Sequence, residues 1–159
     1  MVTKMQIRLA TLEDVERITE MHQSYIQSWH PQEYFERLID VETPLVIVAV
    51  KDNKLIGYTA CRVEGEYSHL VSMGVCPRER TKGVGSSMTL AIVERTIKRG
   101  LKGIYGHVRG SNTVAIAVYK KCEFTFTLVD EYEDGDEKLE FFMAVHSNME
   151  SKHRQHLKY

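Results

Sequence analysis

The chain lacks the features that mark membrane, secreted and disulfide-bonded proteins. Its longest uninterrupted apolar run is Leu45–Val50, whereas a membrane-spanning helix needs about 20 apolar residues. The first residues do not contain the apolar segment of a secretory signal peptide. The only cysteines, Cys61, Cys76 and Cys122, form no C-x-x-C pair, which argues against a disulfide framework and against a zinc site. These absences predict a cytoplasmic protein with neither a metal site nor a membrane partner.

An excess of charge of either sign is also missing. The 159 residues contain 21 Lys and Arg against 22 Asp and Glu, a formal net charge of −1. A domain that binds nucleic acid usually carries a basic excess, so this balance argues against nucleic acid as a partner. Hydrophobic residues make up 43% of the chain, which is typical of one globular domain. We predict a single domain over residues 1–146, a monomer or homodimer, followed by a polar tail at 147–159.

The spacing of apolar residues alternates between the period of strands and the period of helices. The predicted strands are Gln6–Ala10, Leu45–Val50, Leu55–Val63, Tyr67–Cys76, Ile104–Arg109, Phe124–Glu131 and Leu139–Val145. The predicted helices run from Thr11 to about Ile26, from Pro31 through Ile39, from Gly83 to Arg99 and from Ser111 to Lys121. This order mixes hairpins with crossovers, so we predict an α/β fold with a mixed sheet and helices on both faces.

The most informative segment lies between the predicted strand Tyr67–Cys76 and the predicted helix from Gly83 to Arg99. It contains Arg80, Lys82, Gly83 and Gly85. Glycine lets the backbone approach a ligand closely, and the first amides of a helix are free to bind an anion. The segment therefore favours a phosphate or diphosphate site, although a solvated glycine-rich turn would have the same composition.

Two common nucleotide motifs do not match this segment. A Walker A loop needs Gly-Lys followed by Ser or Thr, and here the order is Lys82-Gly83. A dinucleotide-binding fingerprint needs a third glycine where this chain has Met88. The residues thus argue against both motifs, so a diphosphate bound here would not belong to either of these two kinds of nucleotide site.

A third motif does match. Arg80-Thr-Lys-Gly83-Val-Gly85 has the form [Gln/Arg]-x-x-Gly-x-[Gly/Ala], which resembles the acetyl-CoA loop of the GNAT-superfamily N-acetyltransferases. The resemblance covers about residues 5–145 and is greatest to the protein N-terminal branch, the ribosomal-protein alanine acetyltransferases and their relatives. Other segments at the family's spacing are Trp29-His-Pro31, Val75-Cys-Pro77, Val108-Arg-Gly-Ser-Asn112, Ala115–Phe124, Tyr132, Asp134–Glu137 and Met143.

The resemblance implies a fold, an activity and a cofactor. The fold is an acyl-CoA N-acyltransferase sheet of about seven strands flanked by four helices. The activity is direct transfer of an acetyl group from acetyl-CoA to a primary amine in a ternary complex, the amine being a protein or peptide N-terminus. The residues implied to bind acetyl-CoA are Met73, Gly74, Val75, Arg80, Thr81, Lys82, Gly83, Val84, Gly85, Ser86, Asn112 and Tyr119.

The resemblance also implies an acid and a base. Tyr119 would protonate the departing thiolate, since a phenol with a pKa of ~10 stays protonated at neutral pH. His107 stands where many members have Glu, and its ordinary pKa of ~6.5 suits a base near pH 7. Tyr119 could instead be a core tyrosine and His107 a hydrogen-bonded strand residue. Glu64 and Tyr67 are further candidates for the amine site.

Two features of the sequence leave questions open: which amine is the acceptor, and which backbone conformation Glu123 adopts. The acidic run Asp130–Glu140 is either a solvated hairpin tip or an attraction for a cationic acceptor. A cationic small molecule such as a polyamine is therefore an alternative acceptor, and a non-catalytic acyl-CoA-binding module is an alternative function. Glu123 stands where the family usually has Gly, which would strain the backbone if that position needs a positive φ.

Overall fold

The computed structural model describes residues 4–25 and 30–146, and these residues form a seven-stranded mixed sheet with four helices. The strands are β1 (Gln6–Leu9), β2 (Val46–Lys51), β3 (Lys54–Glu64), β4 (Tyr67–Val75), β5 (Gly103–Arg109), β6 (Thr125–Glu131) and β7 (Glu137–Ala144). The helices are α1 (Val15–Tyr25), α2 (Gln32–Ile39), α3 (Val84–Lys98) and α4 (Thr113–Lys121). The predicted class, element order and strand number are confirmed. Ile26, Trp29 and the predicted tail at 147–159 lie outside the described residues.

The sheet has one parallel pair, and that pair separates partway along its length. The strand order is β1-β2-β3-β4-β5-β7-β6, in which only β4 and β5 run parallel. Their pairing extends from Tyr67 opposite Gly103 to Leu70 opposite Gly106. Beyond these residues β4 continues to Val75 and β5 to Arg109. The two strand ends therefore diverge and leave backbone groups of β4 open to a ligand.

Local signals explain why the chain folds into these elements. The Thr11 N–H donates to Asp14 Oδ2 at 2.8 Å, which is the capping contact predicted before α1. Asp52 and Asn53 both adopt positive φ, 53° and 61°, as the two-residue turn between β2 and β3 requires. Pro31 precedes α2 as predicted.

Two apolar layers cover the sheet. On one face α3 and α4 pack over a core that includes Met88, Ile104 and Phe141. On the other face α1 and α2 pack over a core that includes Phe35 and Tyr58. No helix in residues 4–25 or 30–146 is long and apolar enough to cross a lipid bilayer.

The turn after α4 decides the question that the sequence leaves open at Glu123. Glu123 has a φ of 70°, in the left-handed region that favours glycine. The Phe124 N–H donates to the Tyr119 carbonyl at 3.0 Å, and the Glu123 N–H to the Lys120 carbonyl at 2.9 Å. These two bonds form a Schellman motif, which satisfies the last helix carbonyls even though the residue at the left-handed position is not glycine.

Candidate active site

A cleft of about 650 Å³ lies where β4 diverges from β5. The end of β4, the loop before α3, the first turn of α3 and one side of α4 form its walls. Of the predicted cofactor residues, it is lined by Met73, Gly74, Val75, Arg80, Thr81, Gly83, Val84, Gly85, Ser86 and Asn112. The structure therefore brings together most of the residues that the glycine loop and its neighbours predicted.

The glycine loop points backbone N–H groups at this cleft. Thr81 and Gly83 adopt left-handed φ values of 63° and 88°, which turn the chain into α3. The Ser87 N–H donates to the Gly83 carbonyl at 3.0 Å, so the three preceding amides have no acceptor inside the helix. The positive end of the helix dipole lies behind these amides. This helix end can bind an anion through the backbone alone.

The two basic side chains beside the loop, Arg80 and Lys82, have different surroundings. Arg80 donates from Nε to the Val75 carbonyl at 2.9 Å, and its guanidinium carbon lies 5.1 Å from the centre of the Tyr25 ring. Lys82 is predominantly exposed and lies 3.9 Å from Glu79 Oε2, outside the lining of the cleft. Arg80 is thus positioned against the cleft, whereas the predicted role of Lys82 has no such geometric support.

The space at Gly85 provides a test of whether a diphosphate fits here. A Cβ at Gly85 would lie 3.5 Å from Val118 and 3.7 Å from Met73 Cε, both in ordinary contact, on the side that faces the cleft. The glycine therefore keeps open a volume beside the free amides that any longer side chain would fill. This volume, the amides and Arg80 fit the diphosphate of coenzyme A.

A set of polar contacts fastens the start of α4 to the acidic hairpin. The Asn112 side chain accepts from the Ala115 N–H at 3.1 Å and so begins the helix. Asp136 accepts from the Ser111 hydroxyl at 2.5 Å, and the hydrogen bond from Ser111 holds the pKa of that carboxyl below its usual range. Arg109 donates to Asp134 at 2.8 Å. Two carboxylates of the acidic run, Asp134 and Asp136, therefore contact the Arg109 cation within the protein.

The predicted acid, Tyr119, is in the core. Its ring stacks on Phe141 with centroids 3.9 Å apart, and only 4% of the residue is exposed. Burial raises the pKa of the Tyr119 phenol above its usual value, and the neighbouring Cys61 and Cys122 raise it further. Tyr119 follows Val118, which lines the cleft, but is not itself a lining residue. Its role as acid stays a prediction.

The predicted base, His107, lies on the sheet face that carries α1 and α2, among side chains of four strands. Its Nε2 is 3.1 Å from Glu140 Oε2, the residue paired with it on β7. The His69 ring lies 6.0 Å away and stacks on Tyr105 with centroids 4.5 Å apart and planes 2° apart. We name the group the histidine face; it comprises Arg62, Glu64, Tyr67, His69, Tyr105, His107 and Glu140.

Sequence reasoning missed His69 and Tyr105. Alternation along β4 and β5 could have found them, because residues two apart on a strand share a face. His69 precedes the irregular pairing of β4, and Tyr105 is two residues before His107. Glu64, predicted as a candidate for the amine site, lies beside them and accepts a hydrogen bond from the Tyr105 hydroxyl; its place in an amine site stays a prediction. That bond is the main cause of a lowered Glu64 pKa.

Comparison with known proteins agrees with this geometry. Residues 15–124 match the acetyltransferase (GNAT) family. A protein of Sulfolobus acidocaldarius named N-alpha-acetyltransferase is 30% identical over 149 residues, which cover 83% of this chain and 88% of that protein.

Solved structures share the fold. The ribosomal-protein-S18-alanine N-acetyltransferase of Escherichia coli superposes with a TM-score of 0.75 at 19% identity, covering 90% of this chain and 95% of that one. The NatC complex bound to Gag peptide and CoA gives a TM-score of 0.78 at 10% identity, covering 89% and 99%. With a family match over residues 15–124 and a relative 30% identical over most of both chains, this chain belongs to the acetyltransferase (GNAT) family.

Proposed function

We propose that the protein transfers the acetyl group of acetyl-CoA to the N-terminal α-amine of a protein or peptide. The observation that carries the proposal is the opening between β4 and β5. The free amides of the cleft lie on the side of α3 and α4 there, and the histidine face lies on the side of α1 and α2. A donor held in the cleft and an amine held on the histidine face would meet at this opening.

The donor side depends on backbone groups. The amides at the start of α3 and the Arg80 guanidinium would hold the diphosphate, and the backbone of Met73–Val75 would hold the acyl arm. A β4 amide would donate to the carbonyl oxygen on which negative charge develops. When bound, acetyl-CoA supplies an acetyl group activated as a thioester. Asn112 would complete this side. Its side-chain oxygen already caps α4, and the N–H groups of its side-chain amide remain as donors.

The acceptor side depends on imidazoles. An α-amine has an ordinary pKa of ~7.7–8.0, so it must lose a proton before it can attack. His107 would take that proton, directly or through water, and Glu140 at 3.1 Å would hold the imidazole in place. His69 lies on the same face and can share this role. Tyr119 would return a proton to the leaving thiolate, and its raised pKa keeps the phenol protonated until that charge develops.

Three observations support an N-terminal amine as the acceptor. The Glu64, His107 and Glu140 side chains of the histidine face are partly exposed, so the end of an extended chain can reach them. The Sulfolobus relative named N-alpha-acetyltransferase is similar over most of both chains. The paired state of Asp134 and Asp136 removes part of the charge that would favour a polyamine.

A thiol-release assay with acetyl-CoA tests the proposal. Short peptides with a free N-terminus and one internal lysine are compared with the same peptides blocked at the N-terminus, and with spermidine. We expect turnover with the free peptides and a loss of at least ~100-fold on blocking. Turnover with spermidine alone would assign the enzyme to small amines, and cofactor binding without any turnover would indicate a binding module.

A further inference from the structure

Glu64, Tyr105 and His69 form a compact unit at one end of the histidine face. The Tyr105 hydroxyl donates to Glu64 Oε2, and the Tyr105 ring covers the His69 ring in a parallel stack. His69 Nδ1 lies 2.9 Å from the same Glu64 oxygen. His69 Nδ1 has no hydrogen bond of normal geometry within the described residues, so the carboxylate acts on the imidazole chiefly through its charge. Tyr105 thus touches both partners.

We propose that Glu64 and Tyr105 are positioning residues that hold the His69 imidazole and set the pH at which it gains a proton. This inference rests on the proposed function, in which His69 and His107 serve the amine. Glu64 faces Nδ1, so the Nε2 atom is the one available to an acceptor or its water. Tyr105 limits how closely and how strongly the carboxylate acts, because it occupies one of the carboxylate's acceptor positions.

The groups around His69 act in opposite directions. Burial lowers the pKa of His69, the Glu64 carboxylate raises it, and the positive Arg62 and the neighbouring His107 lower it. The side chain is 17% exposed, so these charges are only partly screened. The titratable and charged groups that face it are Arg62 and Glu64 from β3, Tyr105 and His107 from β5, and Glu140 of β7 through His107. Among the groups that shift the pKa of His69, Glu64 is the one that favours the protonated ring.

Substitutions of the two positioning residues therefore have opposite signs. Glu64→Gln removes the negative charge, so His69 should lose its proton at a lower pH. Tyr105→Phe keeps the stacked ring but removes the donor from Glu64, so the carboxylate is freer to attract a proton to His69. His69 should then lose its proton at a higher pH. A purely structural role for either residue would not reverse the sign between them.

The test follows the His69 ring by NMR and the acid limb of kcat/KM with a free-N-terminus peptide. Glu66→Gln is the matched control, because Glu66 is an exposed carboxylate in the same turn that contacts Lys102 instead. We expect the midpoint pH of the His69 titration to fall by about 0.5 pH units in Glu64→Gln and to rise by about 0.3 pH units in Tyr105→Phe. The acid limb of kcat/KM should shift in the same direction in each variant. The control should move neither, and unfolding curves verify that every variant folds.

Other outcomes are decisive. Midpoints that move the same way, or not at all, would overturn the positioning role, as would shifts of His69 that leave the acid limb in place. The NMR titration needs neither acetyl-CoA nor an acceptor. If the protein transfers no acetyl group, the proposed function is wrong. Opposite NMR shifts would still show that Glu64 and Tyr105 control the protonation of His69.

Discussion

The two sides of the opening between β4 and β5 are built in different ways. The cleft side uses backbone amides from one contiguous loop, ending at the first turn of α3. The histidine face uses side chains from β3, β4, β5 and β7. These residues are far apart in the chain, from Arg62 to Glu140. A backbone site tolerates most substitutions other than those at its glycines. A side-chain site can change with any single residue, so the same fold can keep its donor while altering its acceptor.

Gly85→Glu gives the largest expected effect and tests the cleft side alone. The new side chain would fill the open volume beside the α3 amides and place a negative charge where the diphosphate is proposed to bind. Like charges in contact cost several kcal/mol, so we expect acetyl-CoA affinity to fall at least ~100-fold by calorimetry. Ser87→Glu adds the same charge in the same turn outside the cleft lining and should bind normally. Retained affinity in Gly85→Glu would contradict the assignment.

His107→Ala tests the opposite side. Loss of a general base slows the chemical step, so we expect kcat to fall by about 100-fold. Acetyl-CoA affinity should change by less than about twofold, because His107 is not among the residues that line the cleft. His146→Ala, at an exposed histidine beyond β7, is the control. An equal loss of acetyl-CoA affinity would show that the two sides are not separable.

Tyr119→Phe tests the predicted acid, a core residue next to the lining residue Val118. The ring keeps its stack on Phe141, and only the buried hydroxyl is lost. If this hydroxyl protonates the leaving thiolate, kcat should fall by about 10-fold, since a thiolate is also a tolerable leaving group without an acid. Steady-state rates measure this, with Tyr132→Phe as a second variant that loses one phenol hydroxyl. An unchanged rate would remove Tyr119 from the mechanism.

Glu123→Gly has the smallest expected effect and should leave both sides intact. The Gly100 turn after α3 has the same pair of hydrogen bonds, with a φ of 76°. Because a non-glycine residue in the left-handed region is strained, Glu123→Gly should stabilise the protein by about 0.5–1 kcal/mol. Gly100→Ala should destabilise it by a similar amount. Thermal unfolding measures both, and a lower Tm for Glu123→Gly would show that the Glu123 side chain contributes more than the strain costs.

Much of the fold was predictable because its signals are local. The alternation of apolar residues predicted the seven strands, and turn residues such as Asp52 and Asn53 predicted where they reverse. The sequence also indicated Glu123 as the residue that is strained if the turn after α4 has a positive φ, and the structure has that φ. The helix start at α3 was placed within one residue.

The candidate site was only partly predictable, for a physical reason. The residues that line the cleft next to Gly83 and Gly85 are neighbours in the chain, so a short motif indicated them. His69 and Tyr105 have no motif of their own, and their contact depends on the parallel register of β4 and β5. The burial of Tyr119 likewise depends on Phe141, which comes from a strand after the acidic hairpin.

The amino-acid sequence by itself determined the order of the elements, the glycine loop and the helix start with free amides at α3, because each depends on residues within a few positions of one another. The tertiary structure decided the rest. Only the sheet register places Glu64, His69, Tyr105 and His107 on one face, and only the separation of β4 from β5 sets that face against the cleft. Contacts between distant strands are selected by the packing of the whole sheet, which no local pattern encodes.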